Sequence, residues 1–117
     1  MVAVTTAPAQ LATGDVWLAQ LDPAVGSEIQ KTRPCILISP PELHNHLRTV
    51  IVAPMTTGAR PAAFRVPATF KGKTGLILLD QLRALDKIRL VRREGAVHSA
   101  TLKRALSVLQ AMFAPAN

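Results

Sequence analysis

Until its last segment, this chain places its apolar residues in short runs, most of them stopped by proline or glycine. "GDVWLAQLDP" opens at Gly14 and closes at Pro23, "CILIS" runs into Pro40-Pro41, "TVIVAPM" contains Pro54, and "FRVPAT" contains Pro67. Proline cannot donate to a strand ladder or continue a helix, whereas β-branched residues suit a pleated surface. The pattern predicts short strands joined by turns.

The first strand alternates around Val16, Leu18 and Leu21, and a polar loop, expected to be mobile, follows over residues 24–32. "CILIS" and "TVIVAPM" read as central strands, with "PELHNHL" between them as a loop or a single helical turn. "TTGARPAA" is a second long loop, and Pro67 confines "FRVPAT" to a sheet edge. "TGLILLDQL" is expected as a fifth strand and "KIRLV" as a sixth, with Lys87 and Arg89 alternating against Ile88 and Leu90. The period then changes. Leu102, Ala105, Leu106, Leu109, Met112 and Phe113 recur at helical spacing, with Lys103, Arg104, Ser107 and Gln110 on the opposite face and Ser99 placed to cap. The expected fold is mainly β with a C-terminal helix over residues 99–113 closing a small barrel or half-barrel of short strands.

A chain of 117 residues holds one core, so a single domain is expected over 1–117, with residues 1–13 as a flexible N-terminal extension. Hydrophobic residues make up 49% and aromatics only 3%, so the core must be built from Leu, Ile, Val and Ala. The N-terminus has neither a basic leader nor a long apolar run, and no stretch approaches the roughly 20 residues needed to span a bilayer. No membrane association and a cytoplasmic location are therefore expected. The single cysteine, Cys35, lies inside "CILI", where it reads as a buried small hydrophobe and leaves neither a disulfide nor a cysteine-based metal site.

Charge is distributed unevenly. Residues 1–30 contain Asp15, Asp22 and Glu28 and no Lys or Arg, while all 14 basic residues follow against four acids, giving −3 and then +10, together the net +7. Such a basic surface attracts polyanions. Base-stacking aromatics, the usual companions of single-strand platforms, are scarce.

Four stretches carry candidate chemistry. The "HNH" of His44–His46 imitates a nuclease motif, but three adjacent residues point in divergent directions, and a solvated imidazole pair is the expectation. Arg33 is held extended by Pro34, so an always-charged planar fork leaves a strand at a fixed angle beside the polar loop. The same residue could instead cover the barrel end or pair with Glu28. Thr56 and Thr57 follow a strand and can donate to a phosphoryl oxygen, although Thr-Thr-Gly is also ordinary turn chemistry. In "DQLRALDKIRL", Asp80 and Asp86 suit ion pairs with Arg83 or Arg89, while Gln81 offers an amide to a loop or a base edge. Walker, dinucleotide, HExxH and Ser-His-Asp signatures are absent from the sequence.

The ordered combination of "GDVWLAQLDPAVGSEIQKTRPCILIS", "VAPMTT", "GLILLDQLRALDKIRL" and a terminal helix resembles the MazF/PemK (Kid) family of toxin endoribonucleases, from about Gly14 to the end of the helix. The resemblance implies an SH3-like antiparallel barrel assembled as a homodimer. It also implies sequence-specific cleavage of single-stranded RNA without metal or cofactor, in which the 2′-hydroxyl attacks the adjacent phosphate to leave a 2′,3′-cyclic phosphate and a 5′-hydroxyl. The family's functional arginine and threonine fall on Arg33 and Thr56, with Glu28 as a contributor to proton transfer. RNA contacts are expected at Ser27, Lys31, Thr57, Arg60, Arg65, Gln81 and Arg83, with Lys71 and Lys73 as further cations. The expected partner is an acidic antitoxin resembling MazE. The alternative of the same fold is a CcdB-like DNA-gyrase poison without nuclease activity, whose tryptophan-glycine pair at the helix end is missing from "QAMFAPAN".

Overall fold

A computed structural model of the chain describes residues 10–116. Seven strands run in the order β1 (Asp15–Gln20), β2 (Thr32–Leu37), β3 (Thr49–Thr56), β4 (Arg65–Phe70), β5 (Lys73–Leu78), β6 (Arg83–Asp86) and β7 (Leu90–Ala96). Helix α1 is the single turn Pro41–His44, and α2 spans Ser99–Met112. All pairings are antiparallel, in the spatial order β4-β5-β3-β2-β1-β7 with β6 also on β3. β3 is the pivot: its first half pairs β6 (Val50 opposite Leu85), its end pairs β5 (Thr56 opposite Leu76), and Pro54 lies between the two. Each half of the strand thus belongs to a different part of a half-barrel.

The core follows this division. One cluster gathers Leu11, Trp17, Ala19, Leu21, Cys35, Leu37, Val50, Val52, Leu85 and Leu90, and a second gathers Val16, Ile36, Ala53, Met55, Val66, Ala68, Ile77, Leu79, Ala105 and Leu109. β1 and β2 therefore bury both faces, which is why "VWLA" and "CIL" lack clean alternation. Cys35 is fully buried, and burial pushes its thiol pKa up to about 12 against the lowering effect of Arg83.

Several elements differ from expectation for identifiable reasons. "KIRLV" is not one strand: Lys87–Arg89 form a 3-10 turn started by Asp86, whose side chain accepts the Ile88 N–H, and β7 begins at Leu90. "TGLILLDQL" ends as a strand at Leu78, because Leu79–Gln81 turn the chain toward β6. His98 rather than Ser99 precedes the first turn of α2, and no side chain caps it. Ala105 and Leu109 of α2 are buried as anticipated, but Met112 and Phe113, at and just past its end, are exposed. Of the expected loose extension, residues 1–9 lie outside the described residues, whereas Leu11 is buried and Thr13 Oγ1 donates to the Ser39 carbonyl at 2.7 Å. No helix among the described residues is long and apolar enough to cross a membrane.

Candidate functional site

β2 and β3 bring the arginine and the threonines together. The β2–β3 pairing ends with Cys35 opposite Pro54; just beyond it Arg33 pairs with Ala19 of β1 and Thr56 with Leu76 of β5. Arg33, Thr56 and Thr57 line an open cavity of about 350 Å³, joined by Lys71, Lys73 and Glu94, with Met55, Ala68, Phe70 and Leu76 as its apolar surface. Arg33 lies within β2 rather than before it, and its Nε donates to the Gln30 carbonyl at 3.3 Å, while its two terminal nitrogens have no hydrogen-bond partner among the described residues. Thr56 Oγ1 accepts the Gly58 N–H at 3.1 Å, so its own proton is available for donation.

Close packing sets the threonine's backbone. A Cβ on Gly75 would stand 2.5 Å from the Thr56 carbonyl oxygen, so only glycine lets β5 approach β3 this closely. On the far side of the cavity, Glu94 accepts from Arg92 Nε at 2.7 Å and from Lys71 Nζ at 3.3 Å, and these partners, Arg92 first, hold its carboxyl below the usual range. Lys71 also lies 5.7 Å from the Phe70 ring centroid.

The other expected residues go elsewhere. Glu28 lines a second cavity of about 420 Å³ with Asp80, Gln81 and Arg83, and its Oε1 accepts the Val25 N–H at 2.8 Å. It is not brought to Arg33 and Thr56, and no Glu28–Arg33 ion pair forms among the described residues. Gln81 Oε1 accepts the Ile29 N–H at 2.7 Å, and Arg83 Nη1 donates to the Leu21 carbonyl, so both face the loop backbone. Arg65 forks onto Asp80 at 3.1 and 2.9 Å and also reaches the Arg60 carbonyl, so Asp80 pairs with Arg65 rather than with Arg83 or Arg89. The Arg65 hydrogen bond holds the Asp80 carboxyl below its ordinary range. Ser27, Lys31 and Arg60 are exposed, and Lys31 adopts a left-handed backbone with φ 70°.

His44 is the largest departure. It is fully buried rather than solvated, with Nδ1 3.0 Å from Ser39 Oγ and Nε2 3.0 Å from the Leu11 carbonyl. A carbonyl only accepts, so Nε2 carries the proton, and Ser39, which accepts the Ile51 N–H, donates to Nδ1. His46 is exposed. Glu94 was not anticipated: it sits in the polar "VRREG", and only the pairing of β7 with β1, distant in sequence, carries it to the cavity. No cluster of three or more His, Cys, Asp or Glu able to hold a metal ion occurs among the described residues.

Comparison with known proteins converges on one family. The chain is 38% identical to "Endoribonuclease PemK" of Escherichia coli over 62% of its own length, a match spanning 59% of that relative. It is 37% identical to "Endoribonuclease toxin ChpB" of Escherichia coli (strain K12), covering 85% of this chain and 90% of the relative. In three dimensions it superposes on the crystal structure of MazF from Deinococcus radiodurans with a TM-score of 0.76 at 24% identity, over 93% of this chain and 98% of the other. The profile of the family described as "PemK-like, MazF-like toxin of type II toxin-antitoxin system" matches residues 12–113, so the chain belongs to that family.

Proposed function

We propose that this chain is the toxin of a type II toxin-antitoxin pair and cleaves single-stranded RNA at defined sequences without a metal ion. The meeting of Arg33 and Thr56 in one cavity edged by Lys71 and Lys73 carries the reading. In the reaction the 2′-oxygen attacks the adjacent phosphorus as its proton passes to solvent, the P–O5′ bond breaks, and the 5′-oxygen takes up a proton from Arg33, which regains one from solvent. The products are a 2′,3′-cyclic phosphate and a 5′-hydroxyl. The pentavalent intermediate holds more negative charge than the diester, so a fixed guanidinium and a hydroxyl donor favour it over the ground state. Single strands suit such a site because the base can splay and the 2′-oxygen can line up with the scissile bond.

Arg33 serves as electrostatic stabiliser and as the acid to the leaving oxygen, and Thr56 as a hydroxyl donor. Lys71 and Lys73 hold flanking phosphates. Glu28, in the other cavity, does not belong to the group that meets the phosphate. A homodimer and an acidic antitoxin resembling MazE complete the assembly, and +7 on the toxin suits such a partner.

The test is incubation of purified protein with single-stranded RNAs of varied sequence in EDTA, with Arg33→Ala in parallel, reading both fragment ends. Cyclic phosphate and 5′-hydroxyl ends that disappear in the variant are the expected result. Equal cleavage by both proteins would remove Arg33 from the chemistry, and intact RNA throughout would turn attention to a CcdB-like gyrase poison.

A further inference from the structure

The loop that delivers Arg33 is held by three side chains from one distant segment. Gln81 Oε1 takes the Ile29 N–H at 2.7 Å, Arg83 Nη1 reaches the Leu21 carbonyl at 3.2 Å, and Arg89 Nη1 reaches the carbonyls of Gln20 and Asp22 at 3.2 and 2.6 Å. The loop's neck is closed by Leu21 N–H on the Lys31 carbonyl at 2.9 Å, and the Lys31 N–H is taken by Asp22 Oδ1 at 2.9 Å. Lys31 is held there in a left-handed conformation that a non-glycine residue does not adopt freely, and Arg33 then bonds back to Gln30.

Apolar packing does little to seat this loop. Leu21 anchors the start of the loop in the core, but beyond it Val25 is 76% exposed, Ile29 is partly buried against the core, and a cavity of about 420 Å³ lies between the loop and residues 80–83. Polar bonds must therefore span what side-chain packing leaves open. In the Gln81 bond the amide oxygen is used by the loop.

We infer that Gln81, Arg83 and Arg89 are positioning residues that clasp the Leu21–Lys31 loop and so fix the angle at which Arg33 enters the cavity. The inference rests on the catalytic reading of Arg33 only for its effect on cleavage; the clasp itself has an independent readout. It also separates two roles for Gln81. A residue reading a base edge through its amide protons fails equally as Glu or Met, whereas a residue serving as acceptor for the Ile29 N–H survives as Glu and fails as Met.

The experiment compares wild type, Gln81→Glu and Gln81→Met by amide hydrogen exchange and by cleavage of RNA in EDTA. Gln81→Met is expected to speed exchange at Ile29 by about tenfold, the loss of one hydrogen bond, and to lower kcat by a comparable factor while KM moves by less than about twofold. Amides in β3 and α2 keep their wild-type exchange, which a general loss of stability would not allow. Gln81→Glu is expected to restore both Ile29 protection and kcat. Unchanged exchange at Ile29 in Gln81→Met overturns the clasp, as does a Gln81→Glu protein as impaired as Gln81→Met. Arg89→Met, which removes the bonds to Gln20 and Asp22, should likewise loosen the neck, and unchanged exchange at Leu21 and Lys31 would count against it. If wild type leaves all RNA intact, the ribonuclease reading fails while the Ile29 comparison still decides the clasp.

Discussion

Arg33 acquires its role from Pro34 beside it and Thr56 across from it. Pro34 holds the chain extended and the cavity shared with the end of β3 supplies the neighbour, so a local rule and a tertiary one meet at a single side chain. Thr56→Val, which keeps shape and removes only the hydroxyl, is expected to slow RNA cleavage by about tenfold or more with the thermal midpoint little changed, as single-turnover rates and a melting curve would show. Arg33→Ala should cost roughly a hundredfold. His44 teaches the opposite lesson. Its imidazole serves the fold, and His44→Leu leaves the Leu11 carbonyl and the Ser39 hydroxyl without their partner, which should lower unfolding free energy by ~1–3 kcal/mol in urea titration. The "HNH" string gave no sign of this, because burial at His44 depends on Leu11 and Ser39 folding over it from either side.

Strands legible in the sequence are those whose apolar runs end at proline or glycine: β1, β3 and the edge strand β4 lie close to where that punctuation puts them, whereas β2 starts at Thr32, runs through Pro34 and ends at Leu37, short of Pro40. Between residues 79 and 96 the outcome is set by hydrogen bonding. Asp86 diverts the chain into a 3-10 turn, and the polar β7 is a strand only because β1 offers it an unpaired edge. Periodicity carries no information about either event. At the same scale, Gly75 ties sheet packing to the site. Gly75→Ala would drive a Cβ to 2.5 Å from the Thr56 carbonyl, so β5 must retreat from β3. The expected outcome is a loss of ~1–3 kcal/mol in stability together with slower cleavage, since Thr56 moves with the strand. A Gly75→Ala protein matching wild type in both measurements would show that β5 adjusts without disturbing the site.

For the whole molecule, the +10 net charge after residue 30 is only partly available to a ligand, because Arg65, Lys71, Arg92 and Arg93 each have a carboxylate partner. If Lys71 exchanges Glu94 for a phosphate and joins Arg33 and Lys73, log K for RNA should fall with log salt at a slope of roughly −2, taking ~0.7 per contact on a single strand, and Lys73→Ala should reduce it by about 0.7. The ion pairs also set the response to acid. The carboxyls of Asp80 and Glu94 are held below their ordinary 3.8 and 4.5, so they favour the folded state above those values, and that contribution fades as pH falls through the depressed ones. Urea midpoints should therefore decline below about pH 4.5, and Asp80→Asn should flatten the lower part of the decline. Sequence alone determined a β-rich chain with a terminal helix and a basic balance of charge, since both are written in local spacing and composition, while the joining of Arg33 with Thr56 was implied by the family resemblance. Tertiary structure alone decided that Glu28, Gln81 and Arg83 sit at a second cavity, that Arg65 belongs to Asp80, and that Glu94 reaches the first. These depend on which strands become neighbours, and a hydrogen bond between residues 52 positions apart, such as Ile29 to Gln81, leaves no periodic trace in either segment.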